Sequence, residues 1–344
     1  MAKKTQANVA VIGAGAVGIE MLRVLKQRKF PVGDLKVFAR SARTIDVDGQ
    51  KYAVEAISPD AFKGIDIALF AGTEGEKGAA VTFAAEAVKR GAVVIDNGAD
   101  FRMDPNVPLV VPEVNPQAIK KHQGIIANPN CSTIQMVVAL MPIHKKVGIK
   151  RVIVTTLQAS SGAGKAAVDQ LNEEVGLIAE GGFTNVNVSV TNRSMPQQLA
   201  YNVFPQIGGF AEDDYTSEEW KLVKETHKIM GDKNIKVSAT TIRVPVRTGH
   251  SESVYIETKE TIAPDKVKAL LKKAPGIILV DDPKQGLYPM PKDAEGRDET
   301  FVGRIRKDPY VKNGLWLWVV ADNLRKGAAA NAVQIAEVLV KKGW

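Results

Sequence analysis

The chain runs to 344 residues, enough for two domains with separate cores, and its 45% hydrophobic and 24% charged composition is that of an ordinary soluble globular protein. A single cysteine cannot close an internal disulfide and supplies no cysteine cluster for zinc or an iron–sulfur centre, so a metal site of that kind is not expected and a reducing cytoplasm is. The net charge of +8 comes from Lys and Arg scattered along the chain without blocks or basic–aromatic alternation, which predicts a solvated surface that draws in small anions rather than a nucleic-acid binder.

Every apolar stretch is shorter than a bilayer span, so no membrane partner is expected. Met1-Ala2-Lys3-Lys4 leads into a polar stretch with no apolar signal core, so export is not expected either. Short apolar runs at 9–12, 35–39, 67–70, 93–95 and 125–127 then read as buried strands, with helical patterns at 16–27 and 78–90 between them. This alternation predicts a parallel sheet wrapped by helices. The first strand-to-helix turn is Gly13-Ala14-Gly15-Ala16-Val17-Gly18. Its first glycine permits the tight turn, its second lets the backbone approach a pyrophosphate, and its third lets helix and strand pack closely. The α/β fold expected is therefore a Rossmann-type parallel-sheet domain; a glycine-rich turn without a ligand would look the same locally. The second strand ends in Arg40-Ser41-Ala42-Arg43, where an NAD site would carry an acidic residue for the ribose 2′-hydroxyl. Two arginines and a hydroxyl suit a 2′-phosphate, which points to NADP, against the plainer reading of an exposed basic loop. Just past a later strand, Asn97-Gly98-Ala99-Asp100-Phe101-Arg102 offers Arg102 to an anion.

Asn128-Pro129-Asn130-Cys131 opens an apolar run at 134–143 and reads as a strand end, a tight turn and the first turn of a helix capped by Asn130. The partial positive charge and open N–H groups of a helix start favour a thiolate, so a thiol with an ordinary pKa of roughly 8.5 becomes easier to ionise there. A covalent catalyst and a small space-filling cysteine fit this segment equally.

From residue 150 the pattern changes. Runs at 152–157, 235–246, 253–258, 277–280, 301–306 and 315–320 are strand-like and β-branched, mostly without helices between them. They predict a second, α+β domain with a largely antiparallel sheet. Helices are expected at 164–179, 217–230 and 264–273, an irregular loop at 195–212, and an Ala-rich helix at 324–342 that packs back on the first domain. The expected division is a cofactor-binding domain of residues 1–130 completed by 324–344, and a catalytic, substrate-binding domain of 131–323.

Of four histidines, His122 and His227 sit in polar or solvated settings, His144 falls at the far end of the Cys131 helix where a cation complements the dipole, and all three read as structural. His250 follows Thr248-Gly249 between two strands and is the acid–base candidate. Arg243, in Arg243-Val244-Pro245-Val246, can reach the same cleft and clamp a carboxylate through two parallel hydrogen bonds, unless it forms a surface ion pair. Gln158-Ala159-Ser160-Ser161-Gly162-Ala163-Gly164 follows a strand; its glycines allow close approach, and Gln158 can orient a substrate or water. Glu218 and Lys221 share a helix face, a spacing that by itself describes an ordinary salt bridge.

Taken in order, the block 128–133, Gln158 with 160–164, and Arg243 through His250-Ser251 resemble the aspartate-β-semialdehyde dehydrogenases nearly end to end. The lack of a cysteine-tyrosine-proline pattern after Asn-Pro argues against the related N-acetyl-glutamyl-phosphate reductases. The resemblance implies Cys131 as nucleophile, Gln158 positioning its thioacyl adduct, and His250 as acid–base. It implies Arg243 for the substrate α-carboxylate, Glu218 for the amino group, and Lys221, Arg102 and Asn130 for phosphate. It assigns NADP to Gly13, Gly15, Ala16, Val17 and Gly18, to Arg40, Ser41 and Arg43, and to Ser161, Gly162 and Asn323. The implied reaction is NADPH-dependent reduction of L-aspartyl-4-phosphate to L-aspartate-4-semialdehyde in lysine, threonine, methionine, isoleucine and diaminopimelate biosynthesis. A homodimer or homotetramer formed through the second domain's sheet is implied as well. The competing readings are a related acyl-phosphate reductase and a redox-sensing NADP-binding regulator, which would leave Gln158, Arg243 and His250 without a task.

Overall fold

The structure is a computed structural model that describes residues 6–72, 78–181, 190 and 193–342; the expectation drawn from Met1-Ala2-Lys3-Lys4 and the last two residues of the closing segment lie outside them. The described residues divide into two units. One runs to Ile134 and includes Lys228–Met230 and the chain from Arg325 onward; the other comprises Gln135–His227 and Gly231–Leu324.

The first unit contains β1 (Ala7–Ile12), α1 (Ala16–Gln27), β2 (Val32–Ala39), β3 (Arg43–Val47), β4 (Gln50–Ala56), β5 (Ile67–Phe70), α2 (Ala79–Lys89), β6 (Val93–Asp96) and β7 (Ile125–Ala127). Among the described residues these strands form a seven-stranded sheet in the order β3-β4-β2-β1-β5-β6-β7. Every pairing is parallel except β3 with β4. Successive side chains of a strand face opposite sides. Accordingly Val9 and Val11 join one core with Met21, Leu22, Val24 and Leu25 of α1, while Ala10 and Ile12 join another with Ala80, Ala84 and Ala87 of α2. Burial on both faces explains why these strands read as unbroken apolar runs.

The β3–β4 hairpin was not anticipated: Arg40, Ser41 and Ala42 form the exposed connection after β2, and Arg43 is the first residue of β3. Its turn is Asp48-Gly49, both at positive φ (54° and 81°), the geometry that two-residue hairpin turns favour. Asp-Gly was a visible signal. The flanking strands are mostly exposed and polar, however, so no apolar run announced them.

The closing segment is not one regular helix. Arg325–Ala329 form a π-helical turn before α8 (Ala330–Lys342). A sequence period cannot distinguish that turn from α-helix, because it comes from backbone bonding to the fifth residue. Ala329, Ala332, Val333, Ile335, Ala336 and Leu339 pack into the core that α1 also lines.

α3 (Cys131–Val147) starts in the first unit and continues into the second. The second unit then contains β8 (Ile149–Gln158), α4 (Lys165–Glu180), β9 (Lys236–Arg243), β10 (His250–Thr258), α6 (Pro264–Leu271), β11 (Ile277–Leu279), α7 (Pro291–Ala294), β12 (Thr300–Lys307) and β13 (Gly314–Ala321). α5 (Ser217–Met230) belongs to it up to His227. The sheet order is β11-β12-β13-β10-β8-β9. The three inner pairings are antiparallel and the two outer ones parallel, so the sheet is largely antiparallel as expected.

This register places candidate site positions on one rim. Gln158 and Arg243 are partners at the ends of β8 and β9. His250 opens β10 opposite Ala321, the last residue of β13. Its place inside a strand corrects the expected loop position. The chain kinks just before it, at Gly249, whose φ is +94°.

Gly18 gives a test of the glycine turn. A Cβ there would stand 1.8 Å from the Gly13 carbonyl oxygen, so the helix would have to move off the strand. Gly18→Ala is expected to cost about 2–3 kcal/mol or more of stability and to weaken dinucleotide binding. Thermal unfolding and cofactor titration check both effects, and a native melting temperature would contradict the packing argument.

Candidate active site

In the first unit, α1 begins at the glycine turn with Gly15 as its N-cap, without a side-chain cap and without an acidic residue in its first turn. A Cβ on Gly15 would meet nothing within 4 Å. Uncapped N–H groups beside a bare backbone are the chemistry a pyrophosphate needs, so this turn fits a dinucleotide. Arg43 lies close by: its guanidinium donates to the Ser41 carbonyl at 3.3 Å and to the Ala14 carbonyl of the glycine turn at 3.4 Å. Arg40 and Ser41 are exposed on the same segment.

Cys131 is half-buried at the first position of α3. Asn130 caps the helix, its Oδ1 accepting from the Ser132 and Thr133 amides at 3.0 and 3.2 Å. Arg102 is buried, with Nε donating to the Asn128 carbonyl at 2.9 Å and Nη2 to the Asn97 carbonyl at 2.7 Å. The guanidinium is thus aimed by the same turn that delivers the cysteine.

In the second unit, five expected residues converge at the sheet rim. Gln158 Nε2 donates to Glu218 Oε1 at 3.2 Å and lies 3.5 Å from His250 Nε2, while Thr156 Oγ1 donates to Gln158 Oε1 at 3.0 Å. Lys221 Nζ stands 3.5 Å from Glu218 Oε2. Arg243 is buried and its Nη1 donates to the Ala159 carbonyl at 2.6 Å. Gly162 covers this group closely: a Cβ on it would come within 3.1 Å of His250 Nε2 and 3.4 Å of Arg243 Nη1. Ser161 and Asn323 are hydrogen-bonded through their side chains, and Asn323 Oδ1 also accepts from the Gly249 amide at 2.9 Å.

His250 is fully buried, and its protonation is constrained from two sides. The Ala159 amide donates to Nδ1 at 3.0 Å, so the neutral ring carries its proton on Nε2. Burial, and then the positive charge of Arg243, hold its pKa well below the ordinary histidine value, which keeps the ring neutral at neutral pH. The other three histidines have structural partners. His122 Nδ1 accepts from the Gly124 amide, His144 Nδ1 accepts from the Ile149 amide, and His227 Nε2 meets the Ile235 carbonyl at 2.7 Å.

Sequence reasoning missed two buried neighbours. Gln135, on α3, reaches the His250 carbonyl with Nε2 at 3.4 Å. Glu252, two residues along β10, is fully buried, and burial pushes its carboxyl well above the ordinary value despite the nearby Gln135 amide. Glu252 and Gln135 looked like ordinary polar positions of a strand and a helix; only the packed structure reveals their burial. Among the described residues no group of His, Cys, Asp or Glu is arranged to hold a metal ion, and no helix is long and apolar enough to cross a membrane.

Comparison with known proteins adds two family matches. Residues 8–122 match the model described as semialdehyde dehydrogenase, NAD binding domain, and residues 140–326 match semialdehyde dehydrogenase, dimerisation domain. The chain is 54% identical to an aspartate-semialdehyde dehydrogenase of Aquifex aeolicus, over 97% of this chain and 98% of that one. It is similar to the crystal structure of aspartate semialdehyde dehydrogenase II from Vibrio cholerae complexed with ASA, with 45% identity, a TM-score of 0.92, and 98% and 99% of the two chains covered. It is also similar to the Candida albicans aspartate semialdehyde dehydrogenase with NADP, with 26% identity, a TM-score of 0.74, and 98% and 100% covered.

Proposed function

The chain belongs to the aspartate-semialdehyde dehydrogenase family, and from that premise we propose that it reduces L-aspartyl-4-phosphate to L-aspartate-4-semialdehyde through a thioester on Cys131, with NADPH as reductant. The observation that carries this reading is the turn at Asn130 and Cys131: a half-buried thiol opens a helix capped by its own neighbour, beside a buried arginine. This activity would serve the biosynthesis of lysine, threonine, methionine, isoleucine and diaminopimelate.

The Cys131 thiolate attacks the acyl carbon, the bond to the phosphate oxygen breaks, and inorganic phosphate leaves. The positive end of α3 favours the anionic sulfur and the oxyanion formed on attack. The chemistry NADPH supplies when bound is a hydride for the thioester carbon. The resulting hemithioacetal collapses to the aldehyde and returns the thiolate. His250 is the acid–base that manages the proton of this collapse, its neutral ring presenting the Nε2 hydrogen to the oxyanion as the hemithioacetal forms and breaks down. Splitting the transfer in this way replaces one difficult step by two easier ones. Arg243 takes the α-carboxylate, its guanidinium oriented through the Ala159 carbonyl. Glu218 takes the ammonium and Gln158 steadies the adduct. Lys221, Arg102 and Asn130 take the phosphate.

On this reading residues 1–130 and 324–344 form the cofactor domain, while 131–323 form the catalytic and dimerisation domain of a homodimer or homotetramer. Gly13, Gly15, Ala16, Val17 and Gly18 of the glycine turn would hold the cofactor's pyrophosphate, and Ser161, Gly162 and Asn323 would also contribute to binding the cofactor. Arg40, Ser41 and Arg43 read the 2′-phosphate. Replacing both arginines with Ala is expected to weaken NADPH binding by about tenfold or more, since hydrogen bonds to charged groups are worth about 1.5–3 kcal/mol, and to leave NADH nearly unchanged. Fluorescence titration with both cofactors measures this; equal losses would contradict the assignment.

The whole reading is tested by following NADP reduction with aspartate semialdehyde, with and without inorganic phosphate. A phosphate-dependent rate is expected. No rate, or activity only with the N-acetylglutamyl analogue, would overturn it.

A further inference from the structure

Behind the cysteine turn lies a buried polar chain that none of the steps above employs. Lys326, in the π-helical turn, is fully buried; its Nζ donates to Glu113 Oε2 at 2.7 Å, Gln334 Oε1 at 2.8 Å and Asn331 Oδ1 at 3.0 Å. Gln334 Nε2 closes the ring on Glu113 Oε1 at 3.1 Å. Asn331 Nδ2 passes the chain on, donating to Asn128 Oδ1 at 2.7 Å and to the Val110 carbonyl at 3.0 Å. Asn128 is thereby fixed at three atoms: Oδ1 by Asn331, its carbonyl by Arg102, and its amide by the Asp96 carbonyl at 2.7 Å. Three residues later comes Cys131.

The π-turn explains how Lys326 and Asn331 meet. In a regular α-helix, residues five apart point about 140° away from each other. A turn that bonds to the fifth residue brings such a pair onto one side, and such turns recur at functional sites. Burying a lysine is costly unless its charge is matched. Burial opposes ionisation of Glu113, but the Lys326 ammonium, together with hydrogen bonds from the backbone and from Gln334, holds that carboxyl below its ordinary value. A charge pair held this firmly anchors whatever is bonded to it.

We propose that Lys326 and Asn331 are positioning residues for the nucleophile: the chain Glu113–Lys326–Asn331–Asn128 sets the Asn128-Pro129-Asn130 turn and with it the place of the Cys131 sulfur. The proposal rests on the reading of Cys131 as the nucleophile. Because Cys131 is the chain's only cysteine, its alkylation by iodoacetamide can be followed without interference, independently of turnover.

Asn331→Ala cuts the link and leaves the Lys326–Glu113–Gln334 ring in place. It should lower kcat by about 10- to 100-fold, the scale of a small misplacement of a reacting group, with KM for NADPH unchanged. The pH profile of Cys131 alkylation should shift with it. Lys326→Met should do the same where it folds, and Asn331→Ala carries the test where it does not. A folded Asn331→Ala protein with native kcat would overturn the proposal. So would a loss of stability accompanied by a native alkylation profile, which would mark a purely structural role. If instead the native enzyme, alkylated at Cys131, still turns over, it is the nucleophile assignment that fails.

Discussion

Replacing Cys131 with Ala is expected to abolish turnover, by about 10⁴-fold or more, while NADPH still binds with near-native affinity. The size follows from the chemistry. Without the sulfur there is no thioester, and hydride would have to reach an acyl phosphate directly. The residues proposed to hold the cofactor lie elsewhere, on the glycine turn, at Arg40, Ser41 and Arg43, and at Ser161, Gly162 and Asn323. Asn130 accepts from the Ser132 and Thr133 amides and Arg102 donates to the Asn128 and Asn97 carbonyls, and the substitution removes none of these bonds. The turn should therefore survive the substitution. Stopped-flow turnover and cofactor titration on one preparation measure both quantities. Substantial residual activity would remove the covalent mechanism and leave only a reductase scaffold.

Arg243→Lys is expected to raise KM for the semialdehyde by about 30-fold or more, because disrupting a buried, hydrogen-bonded charge costs 2–5 kcal/mol. Charge is retained, so the loss isolates geometry. One guanidinium nitrogen donates to the Ala159 carbonyl, and the planar fork of the group matches the shape of a carboxylate. An ammonium is a single point and cannot serve both partners in fixed directions. KM for NADPH should not change. Steady-state kinetics in both substrates decide the matter, and unchanged constants would free Arg243 from the carboxylate role.

Much of this architecture was readable in the residues. The helix at 16–27 coincides with α1, and the motif before it has the close glycine-to-carbonyl approach that the third glycine was expected to permit. Asn130 caps α3 as its residue type and place suggested. These features are local: they depend on spacing of one to four residues, which a sequence displays. What escaped is set by non-local contacts or by subtle backbone bonding. β3 and β4 form a polar, mostly exposed hairpin whose pairing partner is not written in an apolar run. His250 was read as a loop residue because glycine precedes it, yet pairing with β13 extends β10 to include it. The burial of Glu252 and Lys326 depends on distant segments closing over them, and no residue next to either announces it.

The register of β8 against β9 limits how this protein can vary. Side chains alternate along a strand, so one inserted or deleted residue in β9 upstream of Arg243 would turn the guanidinium to the other side of the sheet without altering any residue of the site. The same applies to β8 below Gln158. Changes of length in this half of the molecule are therefore confined to the connections between strands, and related chains should differ there by whole loops while the strands approaching the rim keep an invariant count.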